Sequence, residues 1–406
     1  MDMTTTHPKH VEALIIGGGY AGLLAASMVA LAGYDVLVLA GSTPATHTKE
    51  TGSGRAQHGE VLHVGGMWDV NDLAYGSGAM LRHRGARTFP LPADDHLTRT
   101  RPRAWGTREL LTCSRDLLTS VLREVVIANP ACDRGTTILD GAQAVGLIGD
   151  ESAVLGARVR FADGTEQEVT AQLVVDASGS DACTAAWLRE LGAAAVPVTT
   201  RATSGFSASR FYLEPEGQGD VPLTAVVDGA RSAVLVPVED GMWAVTQTAP
   251  DRERIAGADA FAEAALALPD PSVGRLIAEA KPAGDVVVSP ALALRWHRYE
   301  RIRGPRGFVV IGDALATFSP LDARGPLAAE AAARALRVAL GRGISHPTAS
   351  RRAQQAIAEE VARLWSDPQT GRLGGGRLKP VASSLSTRLA RVRATAGRFL
   401  RLPGRS

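Results

Sequence analysis

Residues 11–40, VEALIIGGGYAGLLAASMVALAGYDVLVLA, read as strand, glycine turn, helix and strand in immediate succession. Ala13, Leu14, Ile15 and Ile16 make a short apolar run, and helix-forming residues follow the glycines. The spacing G-x-G-x-x-G falls on Gly17, Gly19 and Gly22. Gly17 permits the tight turn, Gly19 lets a pyrophosphate reach the backbone without meeting a Cβ, and Gly22 lets the helix lie close to the strand. The free N–H groups and dipole of the helix start then face the phosphates. In this full strand-turn-helix-strand context the pattern predicts dinucleotide binding on a parallel α/β sheet. One part is absent. The second strand, 35–39, should end in an acid for a ribose diol, and Ala40 stands there. The missing charge-assisted hydrogen bond is worth about 1.5–3 kcal/mol.

Outward from this unit, 406 residues exceed one simple core and imply two or three units folded together. A composition 45% hydrophobic and 21% charged is that of a water-soluble globular protein. The net charge of +2 argues against nucleic acid as the main partner. The basic residues are almost all Arg, with Lys9, Lys49, Lys281 and Lys379 as exceptions, a coding bias to which no function attaches. Cys113, Cys132 and Cys183 are odd in number and widely spaced, which indicates reduced thiols and neither a disulfide framework nor a metal site. The head MDMTTTHPKH lacks the basic start of a secretion signal, so a cytoplasmic protein is expected.

After Ala40 a stretch rich in Gly, Ser and Thr runs to Val61 and reads as a lid or cofactor flap. Arg55 and Gln57 are its candidates for cofactor contact, while His47, His58 and His63 read as exposed or structural. Further on, Leu117, Leu118, Val121, Leu122, Val125 and Val126 recur at helical spacing, with Ser114 as N-cap and Arg115 just inside, either on the surface or on a phosphate. Residues 136–175 read as strands and hairpins with a turn at Asp163-Gly164, and the buried run 173–175 ends in Asp176 at the carboxyl edge of the sheet. Residues 202–250 alternate as a mostly antiparallel sheet. Phe206, Tyr212 and Trp243 share one of its faces, as core for most of them and as the wall of an apolar pocket for one or two. GFVVIGD, 307–313, returns to the parallel pattern, and a loop holding Pro320 leads to a helix starting near Gly325-Pro326. That helix start offers its positive dipole end to something electron-rich.

The tail after Asp367 has no acidic residue. Leu385, Leu389, Val392, Ala396 and Phe399 fall on one helical face, so 384–402 reads as a basic amphipathic helix. It either packs on the rest of the chain or docks on an anionic surface, a membrane holding a greasy substrate or an acidic carrier protein.

GGGYAG, TCSRDLL, VVDASG, LVPVEDGMWAVT and RWHRYERIRGPRGFVVIGDALATFSPLDARGP occur in this order. Together they make residues 10–345 resemble the class A flavin monooxygenases, flavoproteins of the glutathione-reductase-type fold, and among them the flavin-dependent polyene epoxidases of polyether polyketide biosynthesis. The resemblance implies an α/β Rossmann FAD domain (1–45, 105–195 and 290–345), an inserted mostly antiparallel β-sheet substrate domain (46–104 and 196–289) and a C-terminal helical region (346–406). It implies that Gly17, Gly19, Tyr20, Ala21 and Gly22 hold the FAD pyrophosphate and that Arg115 reaches the cofactor. Ala144 would lie beside the adenine, and Asp313, after Gly312, would bind the ribityl chain. Pro320 and Arg324, at the reactive edge of the flavin, are the implied catalytic residues, and the helix start at Gly325 would face the pyrimidine end. The chain departs from the family at Ala40, at Ala323 and Pro326 in a stretch that usually reads G-x-G-M, and at SDAC after Gly179, where Arg and Ser are common.

The implied activity is epoxidation or hydroxylation of a lipophilic small molecule, a specialised metabolite such as a polyketide or isoprenoid. With a single nucleotide fingerprint, electrons would come from transiently bound NAD(P)H or from an external flavin reductase. Two alternatives stay open. One is a flavin-dependent reductase or dehydrogenase of an isoprenoid-like substrate; the other is a non-redox binding or isomerising protein derived from a flavoprotein, which the three departures favour. The W-x-W-x-I-P stretch of related halogenases is absent around Trp187, Trp243 and Trp296.

Overall fold

The strand His10–Ile16 lies between two parallel neighbours, Val36–Ala40 and Glu166–Asp176. A strand covered on both faces needs continuous apolar residues, and Val36–Ala40 is buried at every position. The computed structural model describes residues 8–41, 58–64, 70–90, 109–128, 135–201, 205–217, 221–290, 294–318, 324–341 and 343–366. Thr136–Asp140 extends the parallel sheet beyond Val36–Ala40.

The strand Glu166–Asp176 changes partners along its length. Its first half pairs antiparallel with Val154–Arg160, which pairs in turn with Gln143–Gly149. Residues 174–176 pair parallel with Phe308–Val310. Burial follows the change, alternating up to Gln172 and continuous from Leu173 to Asp176. The hairpin turn falls where expected: Gly164 has φ +83°, and Asp163 Oδ1 accepts from the Thr165 N–H at 2.9 Å.

A second sheet has six strands. Thr224–Asp228, Arg231–Pro237, Met242–Ala249 and Phe206–Leu213 run in that order, and Lys281–Pro282 and Val287–Pro290 both pair with the last. One face, with Ala208, Tyr212, Leu235, Trp243 and Val245, packs under the helices Ala258–Leu266 and Ser272–Glu279. Phe206, Tyr212 and Trp243 all belong to that face, and Tyr212 stacks on Phe261 at 6.4 Å. Core is the outcome expected for most of them: strand parity turns Tyr212 and Trp243 under the helices into core, and Phe206 lies half-buried on the same face, so the two buried rings line no pocket. The opposite face carries Phe211, Val234, Val236 and Ala244, against Val61.

A three-stranded sheet joins the two units. Gly59–Val64 and Arg87–Pro90, from the stretch assigned above to the substrate domain, pair with Glu109–Ser114, from a stretch assigned to the FAD domain. Gly59 comes so near the six-stranded sheet that a β-carbon on it would lie 2.6 Å from Val236 Cβ. Glu239 ties the layers by accepting from the backbone N–H of Ser114 at 2.9 Å and from its hydroxyl.

The helix Ala349–Ser366 packs on Arg324–Leu340 and covers the edge strand Phe308–Val310. Gln354 acts as that strand's missing neighbour. Its Oε1 accepts from Val310 N–H at 2.8 Å, and its Nε2 donates to Val310 C=O at 3.2 Å. Among the described residues no helix is long and apolar enough to cross a membrane. The basic helix expected at 384–402, together with His47, Arg55, Gln57, Cys132, Pro320 and Ala323, lies outside the described residues.

Candidate functional site

Two of the fingerprint glycines are required by the fold itself. Gly17 has φ +113°, and a β-carbon there would lie 2.4 Å from Ala177 O; at Gly22 one would lie 1.9 Å from Gly17 O. Gly19 is different. Its φ of −82° and ψ of −175° suit any residue, and nothing lies within 4 Å of the place a β-carbon would take. Neither strain nor packing calls for a glycine there. The open backbone sits at the start of the helix Tyr20–Ala30, whose cap has no side-chain hydrogen bond and whose first turn has no acid. Such a helix start can take an anion on its main-chain N–H groups.

The Gly312-Asp313 turn is seated on this helix start. Gly312 has φ +62°, and a β-carbon on it would lie 2.7 Å from Ala21 Cβ. Beneath the turn, buried Asp176 accepts from Ser178 N–H at 2.9 Å and from the Thr184 hydroxyl, while its carbonyl takes Ile311 N–H at 2.9 Å. Burial pushes the Asp176 carboxyl pKa up. Its place is under the site, holding the 176–184 loop.

Arg115 enters from the helix Arg115–Ile127, whose N-cap Ser114 accepts from Leu117 N–H at 3.0 Å. Its guanidinium meets Glu60 Oε1, with Nη2 at 2.5 Å and Nε at 2.6 Å. Glu60 first, and more weakly Asp313 and Asp116, hold the arginine charge more firmly than usual, against a cost of burial. The chain therefore brings Arg115, Asp313 and the glycine turn together. Glu60 was missed by sequence reasoning. Its signal was alternation on Gly59–Val64, where Gly59 and Val61 face the six-stranded sheet and Leu62 enters the core of the parallel sheet.

Tyr20 contributes backbone to this helix start and sends its side chain elsewhere. Its hydroxyl donates to buried Glu330 at 2.6 Å, and burial followed by the Glu330 charge pushes its pKa well up. Ala144 sits half-buried on Gln143–Gly149, which starts beside the end of Val36–Ala40: a β-carbon on Gly41 would lie 2.9 Å from Gln143 Cγ. Gly325 has open space around it, as Gly19 does. Arg324 turns away from that space. It is buried, with Nη1 3.5 Å from Leu364 O and its guanidinium 5.5 Å from the Phe318 ring. Phe318 and Trp296 pack on Trp365, with ring centroids at 5.7 and 5.8 Å. Among the described residues no cluster of His, Cys, Asp or Glu could hold a metal ion.

A family described as "FAD binding domain" matches residues 10–325. The chain belongs to that family. FAD is the cofactor of this flavoprotein, and the open backbone at Gly19, with Asp313 and Arg115 beside it, fits the group. Protein Rv3254 of Mycobacterium tuberculosis (strain ATCC 25618 / H37Rv) is 31% identical over 181 residues, 43% of this chain and only 38% of that relative's length. Three solved structures share the fold. The flavin-dependent halogenase CmlS has a TM-score of 0.65 at 18% identity, over 96% of this chain and 71% of that one. PqsL, a probable FAD-dependent monooxygenase from Pseudomonas aeruginosa, has 0.62 at 18%, over 88% and 92%. The flavin-dependent brominase Bmp2 has 0.61 at 15%, over 94% and 93%.

Proposed function

We propose that this flavoprotein is a cytoplasmic monooxygenase that epoxidises or hydroxylates a lipophilic specialised metabolite, a polyketide or isoprenoid, as the polyene epoxidases its motifs resemble do. The observation that carries the reading is the sheet face turned toward Gly59–Val64. Phe211, Val234, Val236 and Ala244 make an apolar wall there, and the next residue along from Gly59 is the Glu60 that holds Arg115. A polar spot adjoins the wall: His58 Nδ1 lies 2.9 Å from Thr246 Oγ1 and 3.1 Å from Ser209 Oγ. Val234, Val236 and Ala244 are buried against Val61, so this face is a closed apolar core that keeps water from the Glu60–Arg115 side of the site, and the lipophilic substrate is what the motif resemblance implies.

The main chain at Gly19 and the helix dipole behind it would hold the pyrophosphate. Asp313 would accept from the ribityl hydroxyls, and the helix start at Gly325 would offer its N–H groups to the pyrimidine end of the flavin. Bound and reduced, FAD supplies the activation of dioxygen: one oxygen atom enters the substrate, and the other leaves as water with two protons and the two electrons given by NAD(P)H, directly or through an external flavin reductase.

The test is turnover by FAD-loaded protein under isotope-labelled dioxygen, with NAD(P)H alone or with a flavin reductase, across a panel of polyenes and isoprenoids. One labelled oxygen atom in the product is the expected result. Conversion without oxygen consumption would establish a reductase or dehydrogenase, and conversion by FAD-free protein a non-redox activity.

A further inference from the structure

Ala40 ends the strand that should present an acid to the adenosine ribose, and it is buried against the glycine turn, 2.7 Å from where a β-carbon on Gly18 would stand. The acid is one strand away. Ala40 and Asp140 are register partners on adjacent parallel strands, so their side chains leave the same face of the sheet about 4.8 Å apart. Gly141 N–H donates to Ala40 C=O at 2.7 Å and locks the two strand ends together.

Arg123, from the helix Arg115–Ile127, completes the arrangement. Its Nη2 straddles both carboxylate oxygens of Asp140 at 2.7 and 2.8 Å. Its Nη1 lies 3.7 Å from the β-carbon position of Gly18. The ion pair thus reaches from the outer strand back to the glycine turn, across the place where the first ribose of a bound dinucleotide lies. One nitrogen engages each carboxylate oxygen once, which leaves each oxygen free to accept a hydroxyl. The Asp140 side chain is 39% exposed and can be approached, while Arg123 is 15% exposed and well fixed.

We propose that Asp140 makes the adenosine-ribose contact that Ala40 cannot, with Arg123 as the positioning residue that holds its carboxylate toward the glycine turn. This rests on FAD binding, and it explains how a site without the usual acid keeps its cofactor. The acid reaches the diol from the neighbouring strand.

The experiment titrates apoprotein with FAD and with an FAD analogue whose adenosine ribose lacks both hydroxyls, following flavin fluorescence. Asp140→Asn is expected to weaken FAD at least tenfold, the size of one charge-assisted hydrogen bond, and to change analogue binding less than twofold. Its melting temperature should hold, because the Asp140 side chain is 39% exposed and the asparagine amide oxygen still accepts from Arg123. Arg123→Lys should lose less affinity than Arg123→Met, and Ala40→Glu in the Asp140→Asn background should restore FAD binding from the usual strand. Equal losses for FAD and analogue, or an Asp140→Asn protein that binds FAD like wild type, would overturn the assignment. Wild-type protein that binds no FAD would overturn the cofactor reading beneath it.

Discussion

Gly19 is a glycine that its own backbone angles and its neighbours leave unexplained. Gly19→Val therefore separates binding from folding, unlike changes at Gly17 or Gly22. A valine side chain has room in the cofactor-free protein and stands where the pyrophosphate must lie. The expected outcome is a soluble protein with a melting temperature within about 2 °C of wild type, since surface changes without strain stay near 0.5 kcal/mol, and with no flavin absorbance. A variant that still purifies with a full complement of flavin would remove pyrophosphate binding from the glycine turn. The spacing of the three glycines was legible in the sequence. Their separate roles, a turn at Gly17, ligand approach at Gly19 and packing at Gly22, were expected from the same pattern; the structure adds the contacts that crowd the β-carbon positions of Gly17 and Gly22 and leave that of Gly19 open.

At the scale of elements, the strand Phe308–Val310 has one neighbour in the sheet and the helix Ala349–Ser366 along its other edge. Gln354 gives both of Val310's backbone groups their hydrogen bonds. Gln354→Ala would leave a buried N–H and C=O unpaired, at a cost of about 1–3 kcal/mol. Denaturant unfolding should show that loss. Because the strand leads directly into Gly312-Asp313, FAD titration of the same variant should show weaker binding as well. Lost stability with unchanged FAD affinity would mean that the turn is held by Asp176 and the Gly312–Ala21 contact alone. The expected strands between 136 and 250 are all present, since their turns and alternation are local. The partnership of a helix amide with a strand edge has no local signature.

Across the whole molecule, the three-stranded sheet couples the parallel sheet to the six-stranded sheet, so Arg115 and the apolar face of the second sheet are separated by one strand, Gly59–Val64. The tail leaves the described structure at Ser366, next to Trp365 and so beside Arg324. For the amphipathic helix expected from the sequence at 384–402, we propose packing on the body of the protein. A chain ending at Gly376 is then expected to melt several degrees lower, the effect of losing one or two kcal/mol of apolar burial. If its melting temperature holds while salt-sensitive binding to anionic vesicles or to an acidic carrier protein disappears, the helix is a docking arm.

The sequence by itself determined the parts whose cause lies within a few residues. The glycine turn, the Ser114 cap, the Asp163-Gly164 hairpin and the change from alternating to continuous burial before Asp176 depend on local backbone geometry and side-chain period. The order of its motifs also pointed to the FAD-binding family that matches residues 10–325. Only the tertiary structure decided which chemistry those parts share. Glu60 on Arg115, Gly312 on Ala21, Tyr212 and Trp243 under helices, and Asp140 beside Ala40 join residues remote in the chain. Such pairs follow from strand neighbours, register and parity, which are set by packing of the whole chain. A one-residue shift of register would turn Asp140 to the other face of the sheet, while the local pattern around it would read the same.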